Sequence, residues 1–282
     1  MTAYTEISGA YILKLFGFAV QVDPTTRTRK FLLIMELMSR GSLTNVIKQE
    51  KKISLRRKLE MACHIASGMR KLHARHMIHR DIRPDNILVN ENYVAKIGDM
   101  GIARVMQEAN NQLTVIGCAP YMPPEFITGK YDQSLDVFTF GLTLNYLFTE
   151  KQHQAIQILI LTKVKLVEES PIFRELIARC VHDHRSQRPS AMEIEATLQT
   201  YKRGFDQIIL AKHPEYIQLP TEAKNEVFLK FYEMFHPRAK AVLERQFPPP
   251  PPPPESNSDE DVGIDLLQVL AHFMNKAAER KS

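Results

Sequence analysis

The chain is poor in cysteine, glycine and long apolar runs, and each shortage excludes something. Its three cysteines, Cys63, Cys118 and Cys180, are odd in number and far apart among 282 residues. That excludes a disulfide framework and points to a reducing compartment, the cytoplasm. The opening Met-Thr-Ala-Tyr-Thr-Glu has no basic region and no apolar core, so no secretory signal is read there. The longest apolar stretch, near Ala155–Leu161, falls far short of the roughly 20 residues a bilayer requires. There are 11 glycines, and no two are separated by a single residue, so no G-x-G-x-x-G phosphate loop is present. Neither sign of charge dominates: 37 Lys and Arg against 32 Asp and Glu leave +5. That excess suits an anionic ligand but does not argue for nucleic acid, and none is expected.

What is there is globular. Hydrophobic residues make up 44% and charged residues 24%, enough for a sizeable core. Ile12–Phe16 and Phe31–Leu37 read as two antiparallel strands around a polar turn, Asp23–Lys30. Leu55, Leu59, Ala62, Ile65, Met69 and Leu72 recur at helical spacing over Ser54–His76, with Ser54 as N-cap. Ile87–Val89 and Val94–Ile97 are short strands. Leu135–Thr149, Ala155–Val167, Pro171–Val181 and Ala191–Tyr201 read as helices, and Phe205–Phe247 as further charged helix. Seven prolines, Pro248–Pro254, form a stiff extended spacer. Beyond it, Glu255–Asp261 is acidic. Leu266, Leu267, Leu270, Phe273, Met274 and Ala277 then share one helical face over Ile264–Ala278. From residue 248 onward six acids face three bases, so this tail is −3 and the remainder +8.

The chemistry concentrates in His79-Arg80-Asp81-Ile82-Arg83-Pro84-Asp85-Asn86, with Asp99-Met100-Gly101 beginning eighteen residues after Asp81. Phosphoryl transfer needs a carboxylate to orient and deprotonate a hydroxyl, and hard oxygen ligands for a metal on the phosphates. Asp81 suits the first task, Asn86 and Asp99 the second. This order of residues resembles the protein kinase family, in which H-R-D-x-x-x-x-N is followed by D-F-G and A-P-E. The resemblance extends through Cys118-Ala119-Pro120-Tyr121-Met122-Pro123-Pro124-Glu125, Asp136-Val137-Phe138-Thr139-Phe140-Gly141 and Arg188-Pro189, and covers roughly residues 4–201.

The resemblance implies a fold and a site. The fold is α+β: a mostly helical large lobe, a truncated small-lobe sheet and a C-terminal helical extension. Residues 1–201 form the kinase domain, 202–247 the extension, 248–261 the polyproline and acidic linker, and 262–282 the amphipathic helix. Asp81, Arg83 and Asn86 are catalytic, and Asn86 and Asp99 hold Mg²⁺. ATP lies against the hinge Met35–Ser42. There Met35 is gatekeeper, the Glu36 carbonyl and Met38 amide pair with adenine, Ser42 lies near the ribose and Leu88 under the purine. Asp136 holds the backbone of the catalytic loop, and Arg188 pairs with Glu125. His79 is a packing and hydrogen-bonding residue. In the same register Cys180-Val181-His182-Asp183-His184 is a loop before a helix and not a zinc site. Thr114 is the candidate phosphosite of the activation segment.

Two family parts have no counterpart here. No glycine loop is present, and no lysine precedes Lys14, which falls in the wrong strand. The chain reads as if it began just after the helix glutamate that orients the missing lysine. The expected consequence is weak transfer or none, and a short sheet with apolar faces and open edges. Features of tyrosine and of Ser/Thr kinases mix, which suggests the tyrosine-kinase-like group of Ser/Thr kinases. The alternatives are a tyrosine or dual-specificity kinase, or a pseudokinase scaffold. Phe247 followed by the prolines resembles ligands of EVH1 domains; SH3, WW and profilin-type partners also remain open, beside a plain spacer.

Overall fold

The computed structural model describes residues 9–23, 25, 27–50, 52–99, 104–105, 119–123, 125, 132–158 and 161–251. Met100, Thr114, Cys118, Pro252–Pro254, the acidic stretch 255–261 and the segment 264–278 lie outside them. No described helix is long and apolar enough to cross a membrane.

The first two strands form one antiparallel hairpin, β1 (Leu15–Val22) and β2 (Arg29–Met35). The pairing is the expected one, but the ladder sits further along than Ile12–Phe16. Ile12 and Leu13 are buried in the lobe instead, where Leu13 N donates to Ile97 O at 2.8 Å and Ile97 N to Tyr11 O at 3.0 Å. Asp23 closes the hairpin turn, accepting from Thr25 N at 2.8 Å through its side chain and from Arg27 N at 2.9 Å through its carbonyl. Most side chains of both strands are exposed.

β3 (Gly41–Ser42) leads into α1 (Leu43–Gln49), and α2 (Leu55–His73) follows. Ser54 caps α2 by accepting from Arg57 N, and nearly every apolar position of the expected stripe is buried. β4 (Met77–Ile78), β5 (Ile87–Val89), β6 (Ala95–Ile97) and β7 (Arg104–Val105) are short. They make a three-stranded sheet ordered β3-β5-β6 and a separate β4–β7 pair.

α3 (Ser134–Thr149) is buried from Leu135 to Phe148 on all sides, as a central core helix must be. Its polar members are bonded inside: Thr143 Oγ1 donates to Ile82 O at 3.0 Å, and Asn145 Nδ2 to Glu168 O at 2.9 Å. Gly141 permits the close approach of α4 (Arg174–Cys180), since a Cβ there would lie 2.5 Å from Cys180 Cβ.

Two helical expectations are corrected. Residues 155–167 are not helix: β8 (Gln154–Ile158) and β9 (Leu161–Lys165) form an antiparallel hairpin. Ile156, Ile158, Ile160, Thr162 and Val164 alternate with period two and are β-branched, which favours strand over helix. Pro171 does not open a helix either. Ser170 bonds to Ile172 in a local turn, Phe173 takes a left-handed φ of 58°, and α4 starts one residue later.

α5 (Ala191–Phe205) carries a Ser190 cap, and α6 (Thr221–Gln246) lies against α5 and α2. Residues 206–210 form a π turn and Pro214–Gln218 a 3₁₀ turn between them. Phe228 and Phe231 of α6 are fully buried, each about a ring's width from Phe205. Leu55 N donates to Asn225 Oδ1 at 2.8 Å, and Arg56 pairs with Asp206 at 3.0 Å. The 202–247 extension thus shares the core of the lobe.

Candidate active site

The loop between β4 and β5 is built around one buried carboxylate. Asp136, fully buried at the start of α3, accepts from His79 N at 2.8 Å and Arg80 N at 2.7 Å. His73 Nε2 from the last turn of α2 reaches the same carboxylate at 2.9 Å. Arg80 sits at φ 72°, a left-handed conformation that a non-glycine residue keeps only when its surroundings hold it. His79 is fully buried, with Nε2 2.8 Å from Gly98 O and Nδ1 accepting from Asp81 N at 3.3 Å. The loop is therefore tied to α2, α3 and the end of β6 before any catalytic group is considered.

On this support Asp81 meets Arg83 and Asn86. Arg83 Nε lies 3.2 Å from Asp81 Oδ2, and its Nη1 also reaches Asp85. Asn86 Nδ2 donates to Asp81 Oδ2 at 2.6 Å and to Asp81 O at 3.0 Å. Charge-assisted bonds of this kind fix a carboxylate in direction. They also use up the nitrogen of the Asn86 amide, which leaves Oδ1 as its oxygen donor. Gly98 N bonds to Asn86 O at 2.8 Å, so Asp99 follows directly from a residue tied to Asn86. Asp99 is exposed, at φ 48°. An amide oxygen and a carboxylate on adjacent backbone are the hard donor set Mg²⁺ prefers, so these residues fit the metal the sequence implies.

The strand register gathers the other expected residues beside them. Asn86 leads into β5, where Leu88 pairs with Ser42 of β3 on one side and Lys96 of β6 on the other. Lys96 Nζ lies 2.6 Å from Glu36 Oε2, and Glu36 Oε1 accepts from Lys14 N at 2.7 Å. Met38 is buried and its carbonyl accepts from Gly41 N at 2.9 Å. Ser42 is the N-cap of α1, its Oγ accepting from Asn45 N at 3.3 Å. Leu88 is half-buried and packs beside Gly98, where a Cβ would lie 3.4 Å from Leu88 Cδ1.

Some braces escaped the sequence reading. His73 and Thr143 hold the loop from two helices, and nothing local marks either. His153, buried at the foot of β8, has Nε2 2.6 Å from Pro120 O and its ring edge-on to Tyr121. Arg188 grips Glu125 through both terminal nitrogens, Nη2 at 3.0 Å from Oε2, and its Nε donates to His182 O at 2.8 Å. That pair stands where it was expected.

Comparison with known proteins agrees with this geometry. The family of protein tyrosine and serine/threonine kinases matches residues 1–198. A probable serine/threonine-protein kinase of Dictyostelium discoideum is 33% identical over 208 residues, 70% of this chain and 13% of the relative. A second from the same organism is 34% identical over 205 residues, 68% of this chain and 22% of the relative. A serine/threonine-protein kinase of Arabidopsis thaliana is 29% identical over 209 residues, 69% of this chain and 37% of the relative. The chain thus spans well under half the length of these relatives.

Proposed function

The chain belongs to the family of protein tyrosine and serine/threonine kinases, and from that premise we propose that it transfers the γ-phosphate of ATP to a serine or threonine hydroxyl of a protein. The observation that carries this is the Asp81 carboxylate, clamped by Arg83 and Asn86 on a loop that Asp136 anchors. The Ser/Thr choice follows the relatives, whose names describe serine/threonine-protein kinases.

In this reading Asp81 orients the acceptor hydroxyl and takes its proton as the oxygen attacks the γ-phosphorus, whose bond to the β–γ bridging oxygen breaks to release ADP. Arg83 keeps that carboxylate turned to the hydroxyl. Asn86 Oδ1 and Asp99 hold Mg²⁺, which supplies charge neutralisation on the phosphates when bound. The Glu36 carbonyl and Met38 amide receive adenine, Leu88 closes the purine site from below, and Ser42 lies near the ribose. Residues 1–201 are the catalytic unit and 202–247 an extension fused to its core. The buried free thiols Cys63 and Cys180 suit a cytoplasmic setting.

A non-catalytic scaffold is the second reading. It is favoured by the run Pro248–Pro254, which has no part in phosphate transfer. The proline run is its natural recruiting element, with EVH1, SH3, WW and profilin-type domains as partners. Phe247 is half-buried and Gln187 Nε2 donates to Pro251 O at 2.9 Å, so the run starts out held against the lobe.

The test is phosphate transfer from Mg²⁺-ATP to a Ser/Thr peptide array by the full chain and by Asp81→Asn. The kinase reading expects transfer that Asp81→Asn abolishes while ATP binding survives. Equal loss of both would contradict the role of Asp81, and ATP binding without any transfer would favour the scaffold.

A further inference from the structure

A cleft of about 150 Å³ opens between α4, α5 and α6, and none of the residues around Asp81 lines it. Its floor is aromatic: Phe173, Tyr201, Tyr232 and His236 all face it. Tyr232 stacks on Tyr201 at 5.0 Å between ring centroids and on His236 at 5.1 Å. Phe173 stands edge-on to both tyrosines, at 4.9 and 5.3 Å. The polar atoms of these rings are engaged within the floor. Tyr201 Oη lies 2.5 Å from His236 Nδ1, and Tyr232 Oη accepts from Phe173 N at 2.8 Å. What the cleft offers a ligand is therefore mainly ring surface, with charge at the rim in the Lys240–Glu175 pair at 2.7 Å.

The start of the proline run lies along this cleft. Phe247 and Pro249 form part of its wall. Gln187 Nε2, from the turn before α5, donates to Pro251 O at 2.9 Å. A polyproline II helix has three residues per turn and no internal hydrogen bonds, so its carbonyls stay open to donors of this kind. Burial along the run follows the same period. Phe247 and Pro250 are half-buried, while Pro248, Pro249 and Pro251 are exposed. The two half-buried residues are one turn apart and share a face. Four residues of polyproline II advance about 12 Å, about the diameter of one helix with its side chains. That step carries the chain from the end of α6 across to Gln187. Aromatic-lined grooves take extended proline segments because the segment is already ordered and little entropy is lost. The same parts meet here within one chain.

We propose that the cleft between α4, α5 and α6 is a polyproline II-binding groove, that its ligand is the chain's own segment Phe247–Pro251, and that this contact withholds the Phe247–Pro250 face from other proline-binding domains. A domain that reads Phe247 with the prolines after it must first lift that face from the lobe. The tether holds the segment at its groove with an effective concentration in the millimolar range, so a partner gains the run only by binding it more tightly than the lobe does. The run is then a gated recruiting element, whether or not the chain transfers phosphate.

The chain has no tryptophan, so Phe247→Trp in the full chain places a single fluorescent reporter at the cleft. Acrylamide is expected to quench it several-fold more slowly than in a synthetic peptide of residues 243–256 with the same substitution. Adding Pro250→Asp, on the face turned to the lobe, should bring quenching close to that of the peptide. Adding Pro248→Asp, on an exposed face, should leave it slow. Neither proline belongs to the lobe core, so lobe melting should not change in either chain. For the withholding, a profilin- or EVH1-type domain is selected because it binds the unsubstituted peptide 243–256. It should bind the unsubstituted full chain roughly tenfold more weakly, as a segment free about one-tenth of the time requires, and Gln187→Ala should recover part of that loss. Quenching as fast in the chain as in the peptide would overturn the proposal, as would equal effects of Pro248→Asp and Pro250→Asp. Equal affinity of the domain for chain and peptide would overturn the withholding and leave the run a plain open ligand.

Discussion

Replacing Asp136 with asparagine should unfold the site from beneath. The carboxylate accepts three bonds of 2.7–2.9 Å, from His79 N, Arg80 N and His73 Nε2, with no exposure to water. Asparagine is nearly isosteric but offers one oxygen and turns an N–H₂ toward the remaining donors. At least one buried backbone N–H then loses its acceptor, at about 1–3 kcal/mol, and a bond to a charged group worth about 1.5–3 kcal/mol goes with it. The left-handed Arg80 backbone loses part of what holds it. We expect a loss of about 3–5 kcal/mol in urea unfolding followed by circular dichroism, and a fall in melting temperature of about 10 °C. The amides of His79 and Arg80 should lose exchange protection first. A loss under about 1 kcal/mol, or unchanged protection at those two amides, would refute the view that Asp136 builds this loop.

Other perturbations follow from the same contacts. Arg188→Lys cannot keep the two-pronged grip on Glu125 or the bond from Nε to His182 O, and should cost about 3 kcal/mol in denaturant unfolding; no measurable loss would contradict a structural role for the pair. His64, stacked on Tyr11 and accepting from Ala95 N, is pushed down to about 4 from 6.5, chiefly by burial and then by Lys202. The unfolded chain binds that proton first. This contribution is therefore intact above about pH 6.5 and lost as pH falls toward 4, by about 3 kcal/mol in all. His64→Gln should flatten that slope, and an unchanged pH dependence of unfolding would count against it.

The loop that carries Asp81 was legible because its pattern is local. Asp81, Arg83 and Asn86 lie within six consecutive residues, and a turn that short leaves few ways to arrange them. Asp136 and the Arg188–Glu125 pair were legible through their order along the chain. Helices with a strong stripe and a serine cap, such as Leu55–His73, were also readable. The β8–β9 hairpin was not, because a short apolar run suits strand and helix alike until its β-branched alternation is weighed. The burial of Ile12 and Leu13 was missed for another reason. They pair with Ile97, a contact across more than eighty residues that no local pattern carries. His73, Thr143 and His153 escaped for the same cause: each acts through a backbone carbonyl or carboxylate that only the fold brings near.

The central claim is that Asn86 and Asp99, beside the Asp81 clamp, form a Mg²⁺-nucleotide site. Calorimetric titration of the full chain with ATP, with and without Mg²⁺, tests it most directly. The account predicts binding that requires Mg²⁺, survives Asp81→Asn, and is lost in Asn86→Ala and in Asp99→Asn. Binding indifferent to Mg²⁺ and to both of those substitutions would contradict it, as would no binding by the unsubstituted chain.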